Sequence, residues 1–249
     1  MRSQLLVLGV ALFVGHGGQP LDTGRAAADR APRTMPGAGE SAADAGRFLA
    51  AARGADPVIC TLAGAPIGDG WGYHGAPPDP ASDAALLEWA FKPSLDERDH
   101  MVLEEGIRDA DPCVRAMAAR LLGAAGSDGT RILTDALDDA RADVRRAAVE
   151  GLGYAEDAGT LGALLRSLED EDAGVRATAA WALGRLEMAE AAAPLGRALR
   201  DPVSAVRLAA IEALGNLELE ASIELLLPVL RDEDPRIRAA AVRAIGETF

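Results

Sequence analysis

Five stretches of this 249-residue chain superimpose on one another, and the step between them is 30 or 31 residues. A branched apolar residue recurs at Val114, Val144, Val175, Val206 and Ile237. Arginine follows each one, at Arg115, Arg145, Arg176, Arg207 and Arg238. Alanine stands four residues past the apolar position, at Ala118, Ala148, Ala179, Ala210 and Ala241. Four further on come Leu122, Leu152, Leu183, Leu214 and Ile245, each followed by a glycine, Gly123, Gly153, Gly184, Gly215 and Gly246. A unit of this length cannot bury its apolar face alone, so the copies must stack on one another.

Each column has a physical job. Spacing of four and four puts the branched residue, the alanine and the leucine on one face of a helix. The alanine lets neighbouring backbones approach, and the glycine is placed to end the helix in a left-handed turn. Ahead of each such helix stands an aspartate, at Asp109, Asp139, Asp170, Asp201 and Asp232. Leucine or isoleucine lies two and six residues before it, as in Leu195 with Leu199 and Leu226 with Leu230, the apolar stripe of a first helix. Every unit is therefore helix, short Asp-containing turn, helix, and the fold class is all-α.

The stretches DPVSAVRLAAIEALG (201–215) and DPRIRAAAVRAIG (234–246) resemble the HEAT family, in the short form of phycobilisome-lyase-type repeats. The resemblance covers residue 99 to the end of the chain. It implies a right-handed α-solenoid of tandem helix-turn-helix repeats, with second helices on the concave side. It also implies that the aspartate column (Asp109, Asp139, Asp170, Asp201, Asp232) and the arginine column pair across adjacent repeats as a structural ladder. Bidentate arginine–carboxylate geometry suits that role. Ligand binding by the arginine row is the less economical reading.

The first third is less regular. Residues 1–19 have a positive start at Arg2, an apolar run from Leu5 to Val14 and small residues for cleavage, as in a signal peptide. That run is too short for a stable membrane anchor. Residues 20–45 are Ala, Gly, Pro and charge without periodicity, a flexible linker. Residues 46–98 hold a degenerate cap repeat: DPVICTLAGAPIG (56–68) follows the columns of DPCVRAMAARLLG (111–123), but Cys60 replaces the arginine and Pro66 weakens the helix. A Gly/Pro-rich loop with Trp71 and Tyr73 and an extra helix (82–91) complete that segment, and five HEAT-type repeats fill 99–249. The expected location is outside the cytoplasm, periplasmic or extracellular.

Charge narrows the partners. A net charge of −14 repels phosphate backbones, so nucleic acid is not expected. A protein or peptide with a basic segment would be tolerated. The three histidines, His16, His74 and His100, form no paired metal-ligand motif, and the glycine-rich loop lacks the lysine of a phosphate loop. No catalytic residue, cofactor or metal is expected. Cys60 and Cys113 fall on stacked helices roughly 10 Å apart, beyond the reach of a disulfide, and are expected as two separate thiols. The segment 239–245 leaves an apolar side after the last repeat; a monomer is expected.

Function should sit where the copies disagree. The sixth residue past the branched position reads Arg120, Glu150, Trp181, Glu212 and Arg243. Beside it lies the second residue of the set, which includes Arg146 and Leu208. Trp181 between Glu150 and Glu212 is the candidate centre of a partner-binding surface, with packing over Ala177 and Ala210 as the alternative. The chain is thus expected to be a non-catalytic scaffold for protein–protein interaction. The alternative implied by the resemblance is a cofactor-handling lyase or chaperone subunit like the bilin lyases, a chemistry at odds with an export leader.

Overall fold

The computed structural model describes residues 45–46, 49–50, 52–53 and 95–247. The leader, most of the linker and cap, His16, His74, Cys60, Trp71, Tyr73 and the helix expected at 82–91 lie outside them. Ten α-helices and no strand occur among the described residues. They are α1 (Glu97–Gly106), α2 (Pro112–Ala124), α3 (Ser127–Ala136), α4 (Ala142–Ala155), α5 (Leu161–Ser167), α6 (Ala173–Leu186), α7 (Ala192–Ala198), α8 (Ser204–Asn216), α9 (Glu220–Leu226) and α10 (Pro235–Glu247). Short 3₁₀ turns precede α5 and α7 and follow α9.

These pair into five helix-turn-helix units. Second helices stack on second helices in the order α2, α4, α6, α8, α10, while the first helices α1, α3, α5 and α7 pack mainly on their own second helices. The branched, alanine and leucine columns are buried, from Val114, Ala118 and Leu122 through Val206, Ala210 and Leu214. The first helices add Leu103, Ile107, Leu133, Leu164, Leu195 and Leu226. Leu49 and Ala52, from helical residues ahead of α1, extend the same core. Aspartates start the helices: Asp96 caps α1 in a reciprocal box with Asp99, Asp111 caps α2 ahead of Pro112, and Asp172 caps α6.

The glycine column does not end the helices. Gly123, Gly153, Gly184 and Gly215 lie inside α2, α4, α6 and α8, and the left-handed residue comes three positions later. It is Gly126 (φ 71°) in the first copy, then Glu156, Glu187 and Glu218 at φ 48°, 50° and 49°. The glycines serve contact instead. A Cβ on Gly184 would sit 2.7 Å from the Ala213 Cα, and one on Gly123 would sit 2.4 Å from the Gly151 carbonyl oxygen. Second helices touch backbone to backbone at this column.

Rungs across three repeat boundaries match one another. Arg145 forks onto Asp170 with both bonds at 2.8 Å, Arg176 onto Asp201 at 2.8 and 3.1 Å, and Arg207 onto Asp232 at 3.1 and 3.4 Å. In all five copies the arginine also donates to the two turn carbonyls five and six residues back, as Arg115 does to Asp109 and Ala110. The aspartate in turn accepts from the amide two residues on, as Asp170 does from Asp172. One side-chain pair thereby fixes two turns and one repeat junction.

At the ends the ladder differs from the expected column pairing. Arg115 does not reach Asp139; it pairs with Asp143 at 3.1 Å, because Arg108 already occupies Asp139 at 3.3 Å. Asp109 receives Arg53. Arg238 holds only its own turn carbonyls among the described residues. Cys113 is disulfide-bonded, against the expectation of separate thiols. The 10 Å argument applies to stacked helix bodies, whereas Cys113 is the second residue of α2, at the helix end.

Candidate binding surface

Only short turns join the helices, so the residues exposed along the second helices form one continuous face. On it the sixth-position column splits into two clusters. Trp181 (α6), Glu212 and Asn216 (α8) and Arg243 (α10) line an open groove of about 440 Å³. Its floor is Ala209, Ala213, Ala240 and Ala244. Glu212 faces Arg243 across 3.7 Å. Trp181 is half-buried against the core, beside Gly153 and Tyr154. The two rings meet edge to face, with centroids 5.3 Å apart and planes at 69°.

The second cluster lies toward α2 and α4. Arg120 stacks over the Tyr154 ring at 5.2 Å. Arg185 stands 5.5 Å over both Tyr154 and Trp181. Its Nε donates to the Gly153 carbonyl at 3.0 Å, and its terminal nitrogen holds Glu156. Glu150 is part of this cluster and does not line the groove. Burial pushes its carboxyl up to about 7, although Arg146 and Arg120 pull it down. Leu208, expected on the binding face, packs half-buried against the core.

Tyr154, Arg185 and Asn216 were not singled out from the sequence. All three occupy the position directly after the column glycine, which a helix ending at that glycine would not possess. Ala124 holds that place in the first copy, so the column varies as strongly as the one containing Trp181. Among the described residues no group of His, Cys, Asp and Glu is arranged to hold a metal ion, and no helix is long and apolar enough to cross a membrane.

Glu150 makes a pH prediction. The folded chain holds this proton more tightly than the unfolded one, whose carboxyl titrates near 4.5. The contribution of Glu150 to stability is therefore fullest below about 4.5 and is lost as pH rises through about 7. Glu150→Gln, which removes the titration, should gain about 1–3 kcal/mol relative to wild type between pH 5 and pH 8. Urea melts at the two pH values check it; an unchanged difference contradicts the burial of this carboxylate.

Stacked helix pairs with this ladder define an α-solenoid scaffold. The HEAT repeats family matches residues 130–214 and 194–248, so this part of the chain is built of HEAT repeats. Among solved structures it is similar to the complex of CpcE and CpcF of phycocyanin lyase from Nostoc sp. PCC7120. That likeness has 26% identity and a TM-score of 0.51, and it covers 64% of this chain and 66% of that one. The chain thus spans just under two thirds of that relative's length. YIBA of E. coli is similar at 19% identity and a TM-score of 0.51, covering 86% of this chain and 76% of that one. An engineered protein is similar at 20% identity and a TM-score of 0.49, over 82% and 96% of the two chains. No curated protein matches in sequence.

Proposed function

We propose that this HEAT-repeat protein is a non-catalytic scaffold that binds another protein or peptide on the face of its second helices, centred on Trp181. The observation that carries the proposal is the half-buried Trp181 forming one wall of an open groove that crosses α6, α8 and α10. Second helices pack directly on one another along the array, and the HEAT-type stacking this chain resembles puts that row on the concave side. A large indole at the centre of a concave, alanine-floored surface gives a partner both area and an anchor point. Placement outside the cytoplasm is part of the proposal. It draws on the leader-like residues 1–19 and on the disulfide at Cys113, since such bonds persist in oxidising compartments.

The test compares wild type with Trp181→Ala on affinity columns loaded from the same cells. Helicity should be unchanged, because the indole lies outside the buried columns. Capture of the partner should fall at least about tenfold, as for a central anchor. Equal capture by the two proteins would remove Trp181 from the binding surface.

The phycocyanin lyase likeness supports a second reading, a subunit that handles a tetrapyrrole cofactor. Titrating the purified protein with a bilin separates the readings. A stoichiometric absorbance change favours the lyase-like role, and an unchanged spectrum favours the scaffold.

A further inference from the structure

Resting on the docking role proposed above, we infer the chemistry of the occupant: an acidic polypeptide segment that seats an apolar side chain in the groove beside Trp181 and sets carboxylates against Arg120 and Arg146.

The face offers little to an incoming cation. Its rings already carry cations from the protein itself, Arg120 over Tyr154 and Arg185 over both Tyr154 and Trp181. A lysine or arginine from a partner would have to displace a guanidinium that is stacked and, for Arg185, also bonded to Gly153 and Glu156. The two carboxylates expected to attract it offer little. Glu212 already faces Arg243, and burial favours the neutral form of Glu150.

An anion with an apolar neighbour meets the opposite situation. The groove floor is alanine, and its one ion pair is internally neutral, so the space beside Trp181 suits an uncharged side chain. Asn216 at the rim can both donate to and accept from a peptide backbone. One to two helix spacings away, roughly 10–20 Å, stand Arg120 on α2 and Arg146 on α4. About three to six residues of extended chain span that distance. Arg146 is exposed and makes no hydrogen bond or ion pair with another described residue. The chain's net charge of −14 does not forbid an acidic segment here, because charges beyond about 8 Å are screened at physiological salt. The acidic remainder of the surface instead disfavours its settling elsewhere.

Acidity should modulate the site. Glu150 is faced by Arg146 and Tyr154 of its own helix, by Arg120 from α2, and through Tyr154 by Arg185 from α6. Protonation of Glu150 removes the negative charge that competes for Arg146 and for the Tyr154-stacked Arg120, so an acidic ligand gains affinity as the pH falls through about 7.

The test pans a random dodecapeptide phage library on the full-length protein after depletion on Trp181→Ala. Peptides with net negative charge and an apolar residue within the acidic run are the expected product. Their affinity, measured by fluorescence polarisation, should fall at least tenfold in the double variant Arg146→Glu with Arg120→Glu and rise several-fold from pH 8 to pH 6. Melting curves of the double variant show whether it folds; Arg146→Glu alone, at an exposed side chain, is the second arm. Enrichment of basic or uncharged peptides, or affinity indifferent to Arg146→Glu, overturns the acidic assignment and leaves the docking face standing. Enrichment of nothing beyond the Trp181→Ala background overturns both.

Discussion

Replacing Arg176 with alanine is expected to destabilise the fold by about 2–4 kcal/mol, the range for removing one partner of a nearly buried, hydrogen-bonded pair. Arg176 and Asp201 retain only 15% and 10% of their side-chain exposure. Loss of the guanidinium strands the Asp201 carboxylate and releases the carbonyls of Asp170 and Glu171 together. Burial alone would raise the Asp201 carboxyl, but the bonds from Arg176 and the Val203 amide outweigh it and hold it below its ordinary value. The rung therefore contributes at neutral pH and fades as acid protonates Asp201. Arg236→Ala is the control, since Arg236 is 80% exposed and among the described residues its side chain reaches only Asp234; its urea midpoint should barely move. Equal midpoints for Arg176→Ala and wild type would contradict the ladder.

A methyl group at Gly184 should cost about 1–3 kcal/mol, the range for forcing volume into a packed interface. Its Cβ would lie 2.7 Å from the Cα and 2.9 Å from the Cβ of Ala213, and neither atom can swing aside. α6 and α8 would have to separate. The same change at Gly246, where a Cβ meets nothing within 4 Å, should instead stabilise by about 0.5–1 kcal/mol through helix propensity. Opposite signs at two positions of one column are the signature of close packing. If the glycines acted as helix terminators, both changes would destabilise through left-handed strain.

The fold was legible because five columns repeat and each has a helical reason. Val175, Ala179 and Leu183 sit four apart and are all buried in α6. The column glycine was harder. A glycine after the last leucine is a common terminator, yet the helices run on to Glu156 and Glu187, whose left-handed geometry sequence does not advertise. That reading also hid part of the candidate surface. Ending α4 at Gly153 and α6 at Gly184 removes Tyr154 and Arg185 from the helices, and with them the guanidinium that covers Trp181. Pairing at the first two rungs was illegible for another reason. Arg53 and Arg108 stand outside the repeated columns, and distance in space decided which arginine reached Asp109 and Asp139.

The claim that second helices form the docking face is tested most directly by photocrosslinking in the cells that make the protein. A photoreactive residue is placed at position 146 or 216 on the second helices, or at exposed position 166 or 197 on the first helices. One discrete adduct from 146 and 216, absent from 166 and 197, is the predicted result. Adducts confined to 166 and 197, or equal from all four positions, would contradict it.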